Sequence, residues 1–375
     1  MRFVVCVLLF LSLCAPALAQ DAQAVPFAPD QVEARAMILI ERASGRVLCE
    51  HNADELLPIA SITKVMTALL AIEHCDQTDI VTVGRNASGV SGTSLYLGLG
   101  ERLTLKQLLL GLMLRSGNDA AVALAEHVAG DEEAFVRLMN ERAAMLGVQA
   151  HFANPHGLDD ENHAATARAM ALIANEAMDY PAFRALARTR EARIPWSGNP
   201  YERALTNKNK LLWTYEGATG VKTGFTGKAG RCLIFSAERD GMELLGVVLN
   251  CGQWFEAAAQ LMDWGFAHYR FETFLTMGQV IKRLPVEGGM KWSVPVIAPA
   301  TLTAPVGVAE AARLVIETEV RLTAPVRDGQ VVGRADVIVA GEVIRSLPLL
   351  AGESVDEHTY AAGLRRALRH FNPVG

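Results

Sequence analysis

Three short polar clusters in this chain bring hydroxyl, amine and amide groups together at spacings that could activate a nucleophile. The first, Ser61-x-x-Lys64, lies in "PIASITKVMTALLAIE", where Ile62, Val65, Met66, Leu69 and Leu70 recur at helical spacing. That period places Ser61 on the first turn of a helix and Lys64 one turn on, at a neighbouring azimuth. A serine hydroxyl is a poor nucleophile until a base takes its proton, and a lysine can be that base when desolvation or a second cation keeps it neutral. The free N–H groups and dipole of a helix start also favour negative charge developing there. Taken alone, the same four residues describe a capping serine and a solvated lysine.

The second cluster, Ser116-Gly117-Asn118 in "LMLRSGNDAAVALAEHVAG", interrupts two helical patterns. The sequence predicts that Gly117 frees the backbone and that Asp119 starts the next helix, so a polar turn between apolar helices could aim a hydroxyl and an amide into a cleft. The third, Lys222-Thr223-Gly224 in "GVKTGFTGKAGRCLIFSAE", precedes an apolar strand. On a sheet edge, Gly224 would let a ligand backbone approach closely, while Lys222 and Thr223 offer a cation and a hydroxyl to a carboxylate. Each cluster has a bland reading as a helix link or a turn; their weight comes from their order and from falling at a helix start, an inter-helix turn and a sheet edge.

The elements that must hold these clusters are legible in the periodicity. "ARAMILIERASGRVLCEHN" reads as two strands around Ala43-Ser44-Gly45. A helical block follows, with a Thr104-x-x-Gln107 capping box, a helix from an Asp131 cap to a Gly147 stop, and another ending before Pro181. Strand character returns in "RCLIFSAE" and "MELLGVVLNC", separated by an Asp240-Gly241 turn, and "WFEAAAQLMDWGFAHY" closes this half as a helix. One sheet built from strands at both ends of the segment, with helices inserted between, is the simplest arrangement. From about Phe274 the texture becomes rich in Val, Thr and Pro, with turns at Asp328-Gly329 and Ala340-Gly341, which predicts a small all-β domain.

Bulk properties bound the setting. With 375 residues there is enough chain for two domains. "MRFVVCVLLFLSLCAPALAQ" has the basic start, apolar run and small-residue cleavage pattern of a secretory signal, with Gln20 as the expected mature N-terminus. Lipidation at Cys14 is the alternative, opposed by the bulky Leu13 before it. No later run reaches the roughly 18 apolar residues that span a bilayer. The protein is therefore expected to be exported to the extracytoplasmic face, soluble or peripheral on the cell membrane. Without Arg2, 34 basic residues face 41 acidic ones, an acidity that speaks against a nucleic-acid partner. Four cysteines remain, Cys49, Cys75, Cys232 and Cys251, without zinc-knuckle spacing. Cys232 and Cys251 fall diagonally on one face of the hairpin, which leaves open a disulfide or a pair of buried thiols. At the end, Tyr360, Leu364, Leu368 and Phe371 form a stripe flanked by Arg365, Arg366 and Arg369: a cationic helix on a membrane surface, or a terminal helix packed on its own domain.

The three clusters together are a known signature of serine β-lactam-interacting enzymes. Through "IASITKVMTAL", "LMLRSGNDAA", "NPHGLDDENHAATARAMALIA" and "NKNKLLWTYEGATGVKTGFTGKAGRCL" the chain closely resembles the low-molecular-mass penicillin-binding proteins, the serine-type D-alanyl-D-alanine carboxypeptidases. Ser116-Gly117-Asn118 is the carboxypeptidase form of the middle motif. The E-x-x-L-N pattern of β-lactamases is absent, since between Asn154 and Arg168 the sole Glu is Glu161, followed directly by Asn162. The resemblance implies an α/β (α+β) serine β-lactamase/transpeptidase-like catalytic domain, a largely antiparallel sheet flanked by helices, plus a small all-β C-terminal domain. The expected division is a signal at 1–19, the catalytic domain at 20–272, the β-rich domain at 273–358 and the tail at 359–375.

By the same resemblance, Ser61 attacks the carbonyl between two terminal D-alanines with neutral Lys64 as base, and Ser116, helped by Lys222, relays a proton to the leaving amine. Asn118 holds the substrate's backbone amide, Thr223 and Lys222 its carboxylate at the Gly224 edge, and the N–H groups of Ser61 and Phe225 the oxyanion. The partners implied are peptidoglycan stem peptides ending in D-Ala-D-Ala, with β-lactams as inhibitors and no metal or organic cofactor. Three other readings stand beside this one: a D,D-endopeptidase or transpeptidase using the same acylation, a zinc peptidase built on His151, His156, His163 and Asp159 without H-E-x-x-H spacing, and a non-catalytic wall-binding protein.

Overall fold

In the computed structural model, which describes residues 28–358, the chain begins with β1 (Ala34–Glu41) and β2 (Val47–His51), a hairpin closed by its own carboxylate. Glu41, fully buried, accepts from the backbone N–H of Ala43 and Ser44 and from the Ser44 hydroxyl, while Gly45 takes φ +71°. The expected signal segment 1–19 and the expected tail 359–375 lie outside the described residues. The chain divides into two compact units between Ala267 and His268.

In the first unit the helical block is α1 (Lys64–His74), α2 (Leu105–Leu110), α3 (Asn118–Ala129), α4 (Glu132–Met145), α5 (Ala167–Asp179), α6 (Pro181–Arg188), a short α7 (Leu211–Thr214) and α8 (Trp254–His268). The expected start signals hold: Thr104 and Gln107 form the reciprocal box at α2, the Asp131 carboxylate accepts from Ala134 N–H, and Pro181 ends one helix by opening the next. Short two-stranded ladders, β3 (Ile80–Thr82) with β4 (Arg102–Thr104), β5 (Ala150–His151) with β6 (Ala164–Ala165), and β7 (Glu191–Ile194) with β8 (Arg203–Thr206), brace the loops between them.

The sheet is completed by β9 (Ala218–Thr226), β10 (Gly230–Arg239) and β11 (Met242–Cys251), in the antiparallel order β2-β1-β11-β10-β9. Asp240 and Gly241 take φ +49° and +79°, the two positive values a tight hairpin turn requires. Six consecutive buried residues at the end of β1 show that this strand is covered on both faces. One cover is α5, packed on β1 and β11; the other is α8, where a Cβ on Gly265 would sit 2.7 Å from Leu244 and 3.0 Å from Leu39. Cys232 and Cys251, brought to diagonal positions by this register, are free buried thiols.

The second unit is all-β as the texture predicted, although its first strand starts before Phe274. Its strands are β12 (Tyr269–Leu275), β13 (Val280–Glu287), β14 (Ser293–Ile297), β15 (Leu302–Gly307), β16 (Ala312–Thr318), β17 (Leu322–Thr323), β18 (Val331–Val339) and β19 (Glu342–Ala351). β12 pairs with β15, and the others form one sheet ordered β16-β18-β19-β14-β13-β17 around a core of Val294, Val296, Ala335, Val337 and Leu349. Ala340 and Gly341, at φ +52° and +89°, make its longest hairpin.

Candidate active site

Ser61 sits not on the first α-turn but on a 3₁₀ turn, Ala60–Thr63, that feeds α1. The cause lies just before it: Ala60 has φ +49°, a left-handed bend that a regular helix start would not contain. Gly157 makes room for this bend, since a Cβ there would meet the Ala60 carbonyl oxygen at 2.0 Å. Thr63 then locks the turn, its hydroxyl donating to the Ala60 carbonyl at 2.7 Å and meeting His163 Nε2 at 2.8 Å.

Lys64 opens α1 with no exposed surface, and three oxygens surround its Nζ: Ser61 Oγ at 2.9 Å, Asn118 Oδ1 at 2.8 Å and the His156 carbonyl at 2.5 Å. Burial is the largest force on this amine, with the charges of Lys222 and Lys208 next; against the opposing pull of Asp119 they drive its pKa well below the ordinary lysine value. A neutral amine has two N–H bonds and one lone pair. Asn118 Oδ1 and the His156 carbonyl can only accept, so they take the two hydrogens and leave the lone pair facing the Ser61 hydroxyl. Of the two causes expected from the sequence, desolvation and a second cation, burial is the larger, and the second cation is joined by a third.

The middle motif arrives by a different path from the one expected. After α2 the helix loosens into a π-type turn, Gly111–Arg115, and the left-handed residue is Ser116 at φ +66°, while Gly117 keeps an extended conformation and caps α3. Asn118, rather than Asp119, begins that helix. Ser116 is almost wholly buried, and its Oγ accepts from Lys222 Nζ at 3.0 Å. Asn118 is held at both ends, by Lys64 and by its Nδ2 donating to Ser91 O at 2.7 Å.

The third motif lies on β9, the edge of the sheet. Lys222 and Thr223 are buried, Lys222 also donating to the Thr223 carbonyl at 2.8 Å, whereas Phe225 turns its ring outward, 64% exposed. Burial, followed by Lys208, lowers Lys222 to about 7. A Cβ at Gly224 would stand 2.9 Å from both Ser61 N and Ile62 N, so the glycine keeps open the space in front of the Ser61 N–H. Gly224→Ala is expected to reduce acylation by penicillin about 10²- to 10³-fold, the scale of losing one oxyanion donor; stopped-flow acylation kinetics check it.

Ser61, Lys64, Ser116, Asn118, Lys222 and Gly224 thus come together, with Thr223 and Phe225 beside them on β9. Missing from the sequence reading were Lys208, hidden in "NKNK", and the His156 carbonyl, a backbone group with no residue-type signature. Asp119 was read only as a helix starter; its carboxylate also accepts from Leu95 N–H, Leu97 N–H and the Ser94 hydroxyl, which tethers the loop following Ser91. The histidines of the zinc alternative do not converge. His163 spends Nε2 on Thr63 and Nδ1 on Ala153 N–H, His156 Nδ1 accepts from Leu158 N–H, His151 Nδ1 binds Asn162 O, and Asp159 accepts from Thr226. Burial holds His156 at about 3 and His163 at about 4, so both are neutral.

Comparison with known proteins agrees with this geometry. The family described as D-alanyl-D-alanine carboxypeptidase matches residues 21–253, and that described as the C-terminal domain of penicillin-binding protein 5 matches residues 269–357. The chain is 36% identical to the D-alanyl-D-alanine carboxypeptidase DacC of Escherichia coli (strain K12), over 93% of this chain and 90% of that protein. It is 32% identical to the D-alanyl-D-alanine carboxypeptidase DacF of Bacillus subtilis (strain 168), over 90% and 89%. Among solved structures, penicillin binding protein 5 from Haemophilus influenzae superposes with a TM-score of 0.74 at 30% identity, covering 88% of this chain and 100% of the other.

Proposed function

Because the chain belongs to the D-alanyl-D-alanine carboxypeptidase family, a family of serine-type hydrolases, we propose that its carboxypeptidase reaction runs through an acyl-enzyme on Ser61. The observation that carries this is the fully buried Lys64 amine, its pKa driven well below the ordinary lysine value, 2.9 Å from the Ser61 hydroxyl. Lys64 takes the proton as Oγ attacks the carbonyl of the penultimate D-alanine of a peptidoglycan stem peptide. The oxyanion forms in the space that Gly224 leaves before the Ser61 N–H, with the Phe225 N–H as second donor. Collapse of the tetrahedral species expels D-alanine, whose amine receives the proton by way of Ser116 and Lys222. Water, deprotonated by Lys64, then cleaves the ester. A β-lactam enters the same path and stalls as the acyl adduct.

Lys222 with Thr223 binds the terminal carboxylate, which requires the charged amine. Since Lys222 sits at about 7, kcat/KM for the peptide is expected to fall above about pH 7 as that charge is lost, and to fall in acid as Lys64 gains a proton. In Lys222→Arg the guanidinium does not titrate, so the alkaline limb should vanish from the pH profile. The test of the whole reading is mass spectrometry of the penicillin-treated protein, which should find one added acyl group, on the peptide containing Ser61. A parallel assay on pentapeptide and crosslinked dimer separates carboxypeptidase from endopeptidase action.

Export by segment 1–19, a role in wall biogenesis and cell shape, and peripheral membrane contact by segment 359–375 complete the proposal; the support is the sequence pattern of each segment. Deleting Tyr360–Gly375 is expected to release the protein from anionic vesicles in a sedimentation assay while peptide hydrolysis continues; equal sedimentation of the truncated form would dismiss the tail as anchor.

A further inference from the structure

At the far end of α1 from the catalytic residues, the Sγ of Cys75, a carboxylate oxygen of Asp79 and a ring nitrogen of His127 lie within 4.8 Å of one another. Among the described residues this is the one group of His, Cys, Asp and Glu whose donor atoms converge. The geometry points to a binding site for a borderline-soft divalent cation of the zinc type, held by Cys75, Asp79 and His127 and remote from the catalytic cleft. With a rise of about 1.5 Å per residue, the eleven-residue helix sets Cys75 about 16 Å from Lys64.

Three features carry the assignment. The donor set is mixed, thiol, carboxylate and imidazole, which suits zinc and not magnesium or calcium. The backbone beneath it is fixed: Cys75 N–H donates to Ala71 O, Asp79 N–H to Asp76 O and Asp76 N–H to Asp79 Oδ2, while Leu105 N–H holds Asp79 O. The site also lies where two helices end, Cys75 being the C-cap of α1 and His127 standing in the last turn of α3, so the partial negative charge of two helix C-termini meets the Asp79 carboxylate there. Tetrahedral zinc wants donors about 3.3 to 3.6 Å apart, a closure of roughly 1 Å that the exposed His127 side chain can supply by rotation. On binding, the Cys75 thiol gives its proton to solvent as the sulfur–metal bond forms, and water fills the fourth position. The ion would clamp together the ends of α1 and α3, whose opposite ends present Lys64 and Asn118.

The test uses the reduced, purified protein titrated with cobalt and with zinc. Cobalt should give the charge-transfer absorption of a cobalt–thiolate bond at one equivalent, and zinc at 100 times Kd should raise the melting temperature by about 5 °C where magnesium and calcium do not. Cys75→Ser should abolish the cobalt band, and Cys75→Ser and His127→Ala should each weaken zinc binding at least about 10-fold, with unchanged penicillin labelling showing that both are folded. A wild-type protein without a thiolate band, or variants that bind zinc as tightly as wild type, would overturn the assignment.

Discussion

Ser61→Ala is expected to abolish the covalent penicillin adduct and to lower stem-peptide hydrolysis about 10⁵- to 10⁶-fold, as removal of a serine nucleophile does elsewhere. The fold should survive, because Lys64 keeps its bonds to Asn118 Oδ1 and the His156 carbonyl. A fluorescent penicillin resolved on a denaturing gel reads the adduct, and thermal melting reads the fold. Full labelling of the alanine variant would show that another residue is acylated and would remove the mechanism's first step.

Lys64→Met is expected to slow acylation about 10³- to 10⁴-fold, toward the upper end of what a general base contributes. Methionine nearly fills the volume but cannot receive the Ser61 proton. Stability should also drop by about 1–3 kcal/mol for each of the two acceptors, Asn118 Oδ1 and His156 O, left without a donor in a buried place. Lys64→Arg sharpens the test: it installs a permanent cation and removes the base, so it should be as slow as the methionine variant. An arginine variant acylated within tenfold of wild type would mean that position 64 contributes charge rather than proton transfer.

The residues of the cleft were readable because their chemistry fixes their types: a hydroxyl, a base three residues on, a cation and a glycine at a strand edge. The helix and strand periods were readable because the buried positions of α1 and β1 are apolar apart from Lys64, Thr67 and Glu41. What escaped was set by backbone and by distance. Ala60 gives no sign of a left-handed bend, because the space that permits it belongs to Gly157. Ser116 reads as an ordinary turn residue beside a glycine, yet it takes the positive φ, its side chain gripped by Lys222 from a strand far along the chain. Lys208 carries no motif; it matters because its charge is within electrostatic reach of Lys64 and Lys222.

The pairing of β1 with β11, Ala36 opposite Leu249, has a consequence for how the molecule comes into being. A ribosome releases β1 long before its neighbour exists, so the first strand must wait with one ladder edge open while the helices emerge. Loop closure over such a span is costly and slow, and an open apolar edge invites pairing with other chains. Nascent chains halted ahead of Met242 should therefore be aggregation-prone and sensitive to proteases, and they should gain resistance together, in one step, once Cys251 is clear of the exit tunnel.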